Sequence, residues 1–414
     1  MLILSSSATF IHFVRIYRAP KSVVAAIALA VLSLCFSTST HACEFKNVHF
    51  KTNFEAGKID QCKQLSENQF ELLSKPENRP INPSPWYAFK VVNKSTENQQ
   101  ISIIIKGEKA KPRYLPKMSI DGKQWQALPF DIIDNAIHIN VQLQQQDFYI
   151  AGQEVIDNAF YAQWSQTLAK ESGFKLQALG MSTEGRGIDA LVHSTPENKE
   201  WLLIVGRQHP PEITGALALI SFVQELATQQ QLNTDFLSRF NVMIIPNLNP
   251  DGVANGNWRH NTKGADLNRD WGKFTQVETQ QVQAWLNKTL VEQQRLVFAL
   301  DFHSTQQDIF YTMPSDYAVA APTFSEDWLK QLKEATVSSF TVRPSPGTSP
   351  GRGVFKQFLA DEYNIHSITY EMGDNTNREL ITHVAQTAAQ TLMRKMLSVE
   401  PEQFIYKPSP SDLD

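Results

Sequence analysis

Acidic side chains are missing from the first 42 residues, and cysteine is scarce throughout, with 3 in 414 residues. Three cysteines over this length exclude a disulfide scaffold, and 18 Gly and 21 Pro, thinly spread, exclude a collagen-like or low-complexity chain. Neither charge is in surplus: 38 Lys+Arg face 42 Asp+Glu, a net charge of -4. Lacking a cationic field, the chain has no general attraction for nucleic acid or an anionic membrane, so no nucleic-acid partner is expected. The run Val23–Phe36 (VVAAIALAVLSLCF) is apolar but well short of the ~20 residues that a bilayer-spanning helix needs.

What remains is an ordinary globular composition, 42% hydrophobic and 19% charged, sufficient for two cores. Arg15, Arg18 and Lys21 precede the apolar run, and Thr40-His41-Ala42 follows it with small residues at the two positions a signal peptidase reads. Residues 1–42 are therefore expected to be a signal peptide cleaved after Ala42, an uncleaved anchor being the alternative. Thr40, standing where a lipoprotein signal has Leu, argues against acylation of Cys43. The protein is expected to be exported, periplasmic or secreted, with no stable membrane anchor after cleavage. Cys43 and Cys62 are then its only cysteines, and an oxidising compartment would join them. Two free thiols are the alternative.

From Trp86 to Ile150 apolar residues recur with period two, as in Ile101/Ile103/Ile105 and Ile137/Ile139/Val141/Leu143. Such alternation marks half-buried antiparallel strands, and Asp121-Gly122 predicts a tight hairpin turn. Residues 43–155 are expected to form a small β-sandwich domain in which no acid, base or nucleophile cluster stands out. After Phe160 short apolar runs (Trp201–Val205, Val242–Ile245, Leu296–Leu300, Ser367–Tyr370) alternate with helix-period segments at Ile213–Leu226, Val277–Leu290, Phe324–Val337 and Glu379–Leu397. That alternation predicts a three-layer α/β/α domain over 156–400 with a largely parallel sheet, followed by a loose tail over 401–414.

In such sheets ligands bind beyond the carboxyl ends of the strands. After WLLIVG come His209-Pro210-Pro211-Glu212, and after LVFALDF comes His303. Two histidines and a carboxylate are a ligand set for a catalytic zinc, with the distant third ligand tying the site to the folded domain. A lone HxxE is weak, since a loop histidine and a helix-terminal glutamate account for it equally well. Glu371 ends the run SITY, where an ionised carboxylate is costly without a positive neighbour. It would serve as general base to a metal-bound water, or pair with Arg378. Between these lies a long Asn-rich stretch containing Asn249-Pro250-Asp251-Gly252, Trp258-Arg259 and Gly264-Ala265-Asp266-Leu267-Asn268-Arg269. Arg259 and Arg269 supply forked donors suited to carboxylates.

HPPE, the NPDG…WR…GxDxNR block, His303 and Glu371 together resemble zinc carboxypeptidases of the carboxypeptidase A type, over about residues 160–398 and in the same order. The preceding domain, with Trp86-Tyr87-Ala88-Phe89 and Ser119-Ile120-Asp121-Gly122-Lys123-Gln124-Trp125, is similar to the N-terminal domain of the cytosolic-carboxypeptidase branch. The resemblance implies one Zn2+ per chain held by His209, Glu212 and His303, with Glu371 as general base. It further implies that Arg259 polarises the scissile carbonyl, that Asn268 and Arg269 clamp the substrate's terminal carboxylate, and that Asp266 orients His209. The implied reaction is hydrolysis of C-terminal peptide or isopeptide bonds in exported or cell-wall peptides. A small-molecule deacylase of the succinylglutamate desuccinylase kind and a non-catalytic binding protein are the alternatives. The tyrosine that digestive members carry before a Gly-x-Ser segment is absent: Gly347-Thr348-Ser349 is present, but no Tyr lies between Tyr317 and Tyr363. Arg343 falls near that place and Arg352 follows, so either arginine is expected to bind substrate and favour an acidic terminal residue.

Overall fold

A computed structural model describes residues 43–408. The expected signal peptide and cleavage site, and residues 409–414 of the expected loose tail, lie outside the described residues. Among the described residues no helix is long and apolar enough to cross a membrane.

The β-rich part consists of two sheets around a shared apolar core. Its alternating isoleucines meet across neighbouring strands: Ile105, Ile103 and Ile101 pair with Ile137, Ile139 and Val141, placing one buried side chain opposite another. Cys43 and Cys62 are joined by a disulfide that links the first strand of each sheet. The Asp121-Gly122 turn is wider than the tight hairpin expected. Strands Lys117–Ser119 and Gln126–Ala127 pair, but the connection spans 120–125, with Asp121 Oδ1 accepting the N–H groups of Lys123 and Gln124 (each 2.8 Å).

The α/β part is built on an eight-stranded sheet in the order Lys175–Met181, Gly187–His193, Phe240–Ile245, Glu200–Gly206, Arg295–Thr305, His366–Gly373, Ile309–Thr312, Pro344–Pro346. The four central strands run parallel; the hairpin Lys175–Met181/Gly187–His193 joins them antiparallel on one side, and on the other Ile309–Thr312 joins antiparallel with Pro344–Pro346 parallel to it, so the sheet is mixed with a parallel centre. Along Glu200–Gly206, Leu202 and Ile204 face one apolar cluster while Leu203 and Val205 face the other. Both sheet faces are thus covered, which explains why these strands read as unbroken apolar runs. Helices Ile213–Leu226, Phe324–Ala335 and Arg378–Leu397 pack on one side, and Val277–Thr289 and Phe355–Tyr363 on the other.

Gly215, on the helix Ile213–Leu226, is required by a close approach: a Cβ there would lie 2.3 Å from the carbonyl oxygen of His303. The expected loose tail is ordered at its start, because Pro401–Phe404 form a 3-10 turn and the buried Phe404 ring packs on Phe240 and Phe324.

His366, at the start of a central strand, is neutral in this fold. Its Nε2 donates to Ala321 O (2.9 Å), its Nδ1 accepts from Ser325 Oγ (2.8 Å), and burial pushes its pKa down to about 4. The unfolded chain titrates near 6.5 and so binds the extra proton first. Stability is therefore full above that value and declines as pH falls towards about 4. Denaturant unfolding of wild type and His366→Gln across that window should show a shallower acid decline in the variant, by of order 3 kcal/mol. Identical slopes would exclude His366 as a source of acid lability.

Candidate active site

The strands Glu200–Gly206, Arg295–Thr305 and His366–Gly373 end side by side, with His303 and Glu371 in direct register. Beyond the first of them the chain turns through Arg207, held at φ 56° in the left-handed region. Its guanidinium anchors that turn by donating to Pro210 O (2.7 Å), Tyr161 Oη (3.0 Å) and Ile156 O (3.2 Å). The turn brings His209 and Glu212 over the end of the sheet. Glu212 Oε1 lies 2.9 Å from His209 Nδ1 and Oε2 2.7 Å from His303 Nδ1, while the two Nδ1 atoms are 3.2 Å apart. One candidate ligand atom from each of His209, Glu212 and His303 falls within 4.8 Å of the others, and all three residues are buried.

Behind each imidazole stands a carboxylate. His209 Nε2 donates to Asp266 Oδ1 (2.9 Å), the orientation expected of Asp266, and His303 Nε2 donates to Asp301 Oδ2 (2.7 Å). Gln208 Nε2 also donates to Asp301 Oδ2 (2.7 Å) and is itself fixed through Trp271 Nε1 (2.9 Å). With the Nε2 atoms committed backwards, both Nδ1 atoms face a carboxylate and each other. Such a cluster requires positive charge at its centre, which a divalent cation satisfies, and carboxylate-backed histidines are the usual support of metal ligands. The field agrees. Burial alone would raise the Glu212 carboxyl, yet His209 and His303 hold it well below the usual carboxylate range. Asp301 and Glu212 likewise outweigh burial and favour the cationic form of His303. The donor set therefore fits a zinc ion.

Glu371 borders this cluster on the neighbouring strand. Burial pushes its carboxyl up to about 7, the Glu212 charge adding to that while His303, His209 and Arg113 oppose it. Its Oε2 has no hydrogen-bond partner. The alternative pairing with Arg378 does not form, because Arg378 binds Glu154 (2.8 Å).

A cavity of about 560 Å³ elsewhere on the chain borders the C-terminal segment and holds none of these groups; the cluster opens instead into one of about 500 Å³. Arg259 lines it, its Nε donating to Asp266 Oδ2 (2.8 Å) and its Nη1 standing 4.0 Å from Glu212. Asn268 and Arg269 line it too. Asn268 Oδ1 accepts the Phe355 N–H (2.9 Å), and Arg269 has no carboxylate within ion-pair distance among the described residues. Arg352 is exposed at its rim. Arg343 is a correction: it precedes the edge strand Pro344–Pro346, is exposed, and reaches Asp308 O (3.4 Å) instead of the cavity.

Sequence reasoning missed several lining groups. Lys356 is buried on the helix Phe355–Tyr363, its Nζ donating to Thr312 O (3.0 Å) and Gly347 O (2.5 Å), and burial pushes its pKa down to about 8. Tyr311 supplies a phenol from outside the segment where a tyrosine was sought. Arg113 and Asn82 enter from the β-rich part, Arg113 pairing with Asp374 (2.8 Å) and donating to Ser304 O (2.7 Å). The β-rich part, in which no acid, base or nucleophile cluster stands out in the sequence, thus contributes one guanidinium and one amide to the cavity wall.

A family model described as zinc carboxypeptidase matches residues 161–391, and one described as cytosolic carboxypeptidase N-terminal domain matches residues 50–152. Cytosolic carboxypeptidase 6 of Mus musculus is 25% identical over 250 residues, which cover 54% of this chain and 46% of that protein. An uncharacterized protein of Zymomonas mobilis is 26% identical over 231 residues, covering 53% and 58%. The chain spans about half the length of the curated relatives it matches. A metallo-carboxypeptidase from Burkholderia cenocepacia shares the fold with a TM-score of 0.72 at 18% identity, over 84% of this chain and 99% of its own. A Pseudomonas aeruginosa metallo-carboxypeptidase, solved with (2-guanidinoethylmercapto)succinic acid, gives 0.69 at 18%, over 86% and 100%.

Asp301→Asn leaves His303 in place but removes the charge behind it. Zinc affinity, read by competition with a chelator, should fall roughly 10- to 100-fold with the fold intact. Unchanged affinity would show that Asp301 does not support the ligand.

Proposed function

The chain belongs to the zinc carboxypeptidase family, and from that premise we propose that it is a zinc-dependent metallocarboxypeptidase cleaving C-terminal peptide or isopeptide bonds of exported or cell-wall peptides. The convergence of His209, Glu212 and His303 beside Glu371 carries this reading. Bound by those three residues, a zinc ion would supply a Lewis acid and acidify a coordinated water. Glu371, with an unpartnered oxygen and a pKa raised to about 7, takes the proton of the attacking water and returns it to the leaving amine. Arg259, fixed by Asp266, meets the negative charge that develops on the carbonyl oxygen. Arg269, beside Asn268, receives the terminal carboxylate.

Lys356 and Arg352 favour an acidic terminal residue, since both carry positive charge into the cavity and neither is neutralised by a carboxylate within ion-pair distance among the described residues. The full set of Arg259, Asn268 and Arg269 supports a peptidase over a small-molecule deacylase, and the intact ligand set with Glu371 speaks against a non-catalytic binding protein. Export is part of the proposal and is supported by the charge pattern of residues 1–42 and by the Cys43–Cys62 disulfide, a bond favoured in oxidising compartments.

Glu371→Gln should lower turnover of a C-terminal peptide substrate by roughly 10²- to 10⁴-fold while the purified protein keeps one zinc per chain. Substantial residual turnover would remove Glu371 from the role of base. In a panel of peptides differing only at the last residue, Glu and Asp should be cleaved best. Because Lys356 is protonated below about 8, that preference should weaken as pH rises through this value. A preference for large apolar ends would overturn the assignment of Lys356 and Arg352.

A further inference from the structure

Residue Arg259 sits in a loop whose backbone is gripped from another part of the molecule. Glu77 follows the strand Gln69–Ser74 of the β-rich part, and its two carboxylate oxygens accept three successive backbone N–H groups. These are Trp258 (2.8 Å), Arg259 (2.9 Å) and His260 (2.5 Å). Among the described residues those N–H groups have no other acceptor. Neighbouring side chains reinforce the grip. Asn78 Oδ1 lies 2.7 Å from His260 Nδ1, Asn78 Nδ2 donates to Gly264 O (3.0 Å), and Trp258 Nε1 donates to Ser74 Oγ (2.9 Å).

We propose that Glu77 is a positioning residue that acts through Arg259. Consecutive N–H groups aimed at one point form a cradle for an anion, and here the chain fills it with its own carboxylate. The side chain of Arg259 is fixed at Nε by Asp266 (2.8 Å), and its backbone is fixed by Glu77, so the guanidinium is held from both ends before substrate arrives. Preorganisation of that kind is what a charge-stabilising group needs, because a donor that must first find its place stabilises the transition state less. The β-rich part then contributes to the chemistry without touching the reacting atoms. The inference rests on the reading of Arg259 given above. Glu77 is 11% exposed at its side chain, far enough from bulk water that the three N–H groups have no easy substitute.

Glutamine at this position keeps the size and one acceptor, but turns an NH2 towards donors. In the full-length zinc-loaded protein, E77Q should lower kcat roughly 10- to 100-fold with KM and zinc content little changed. Its decisive readout is a double-mutant cycle with R259A: in that background E77Q should cost less than about 2-fold more. Losses that multiply, or an E77Q enzyme as active as wild type, overturn the proposal. R259A with undiminished turnover would instead overturn the reading of Arg259, and with it the purpose assigned to Glu77. If E77Q is not recovered folded, Glu77→Asp enters the same cycle, where an active enzyme or multiplying losses count against the proposal and a loss absorbed by R259A counts for it.

Discussion

Two imidazole nitrogens and the two oxygens of one carboxylate meet in a buried space, and much of the surrounding structure serves to make that meeting stable. His209 Nδ1, His303 Nδ1 and Glu212 would repel or waste one another without positive charge between them. Asp266 and Asp301 stand behind the rings and fix which nitrogen faces inward. Each of these carboxylates is in turn committed elsewhere, Asp266 to Arg259 and Asp301 to Gln208, so that disturbing any member propagates through the set.

The fold supplies this arrangement by stacking parallel strand ends. Register places His303 opposite Glu371, and the close approach allowed by Gly215 lets the helix that begins after Glu212 lie against the strand carrying His303. The strained turn at Arg207 aims His209 back over the sheet. The β-rich part closes the site from the other side, through Arg113 on the cavity wall and Glu77 beneath the Arg259 loop. The β-rich and α/β parts thus share one cavity within a single compact unit.

The central strands were legible because residues buried on both faces leave unbroken apolar runs, and the candidate metal ligands His209, Glu212 and His303 were legible because they come just after those runs. What stayed hidden was masked by its surroundings or has no local pattern. Asp301 lies inside the run LVFALDF, two residues before His303 on the same strand, so alternation places both on one face, but within an apolar run it does not stand out. Glu77 and Arg113 sit among other charges, Lys75 and Arg79 for the one and Lys109 and Lys111 for the other, and their partners lie 181 and 261 residues away. Lys356 falls in a short helix whose buried side is set by tertiary packing. Arg343 lies off the cavity: spacing along a loop does not say where a side chain ends up once the segment after it pairs with Ile309–Thr312.

The most direct measurement is calorimetric titration of zinc into the chelator-stripped protein, with His303→Ala alongside. Wild type should take up one zinc per chain tightly, and the variant should lose that site while keeping its fold. Equal binding by both proteins, or only weak uptake at several sites, would contradict the convergence of His209, Glu212 and His303 on a single ion.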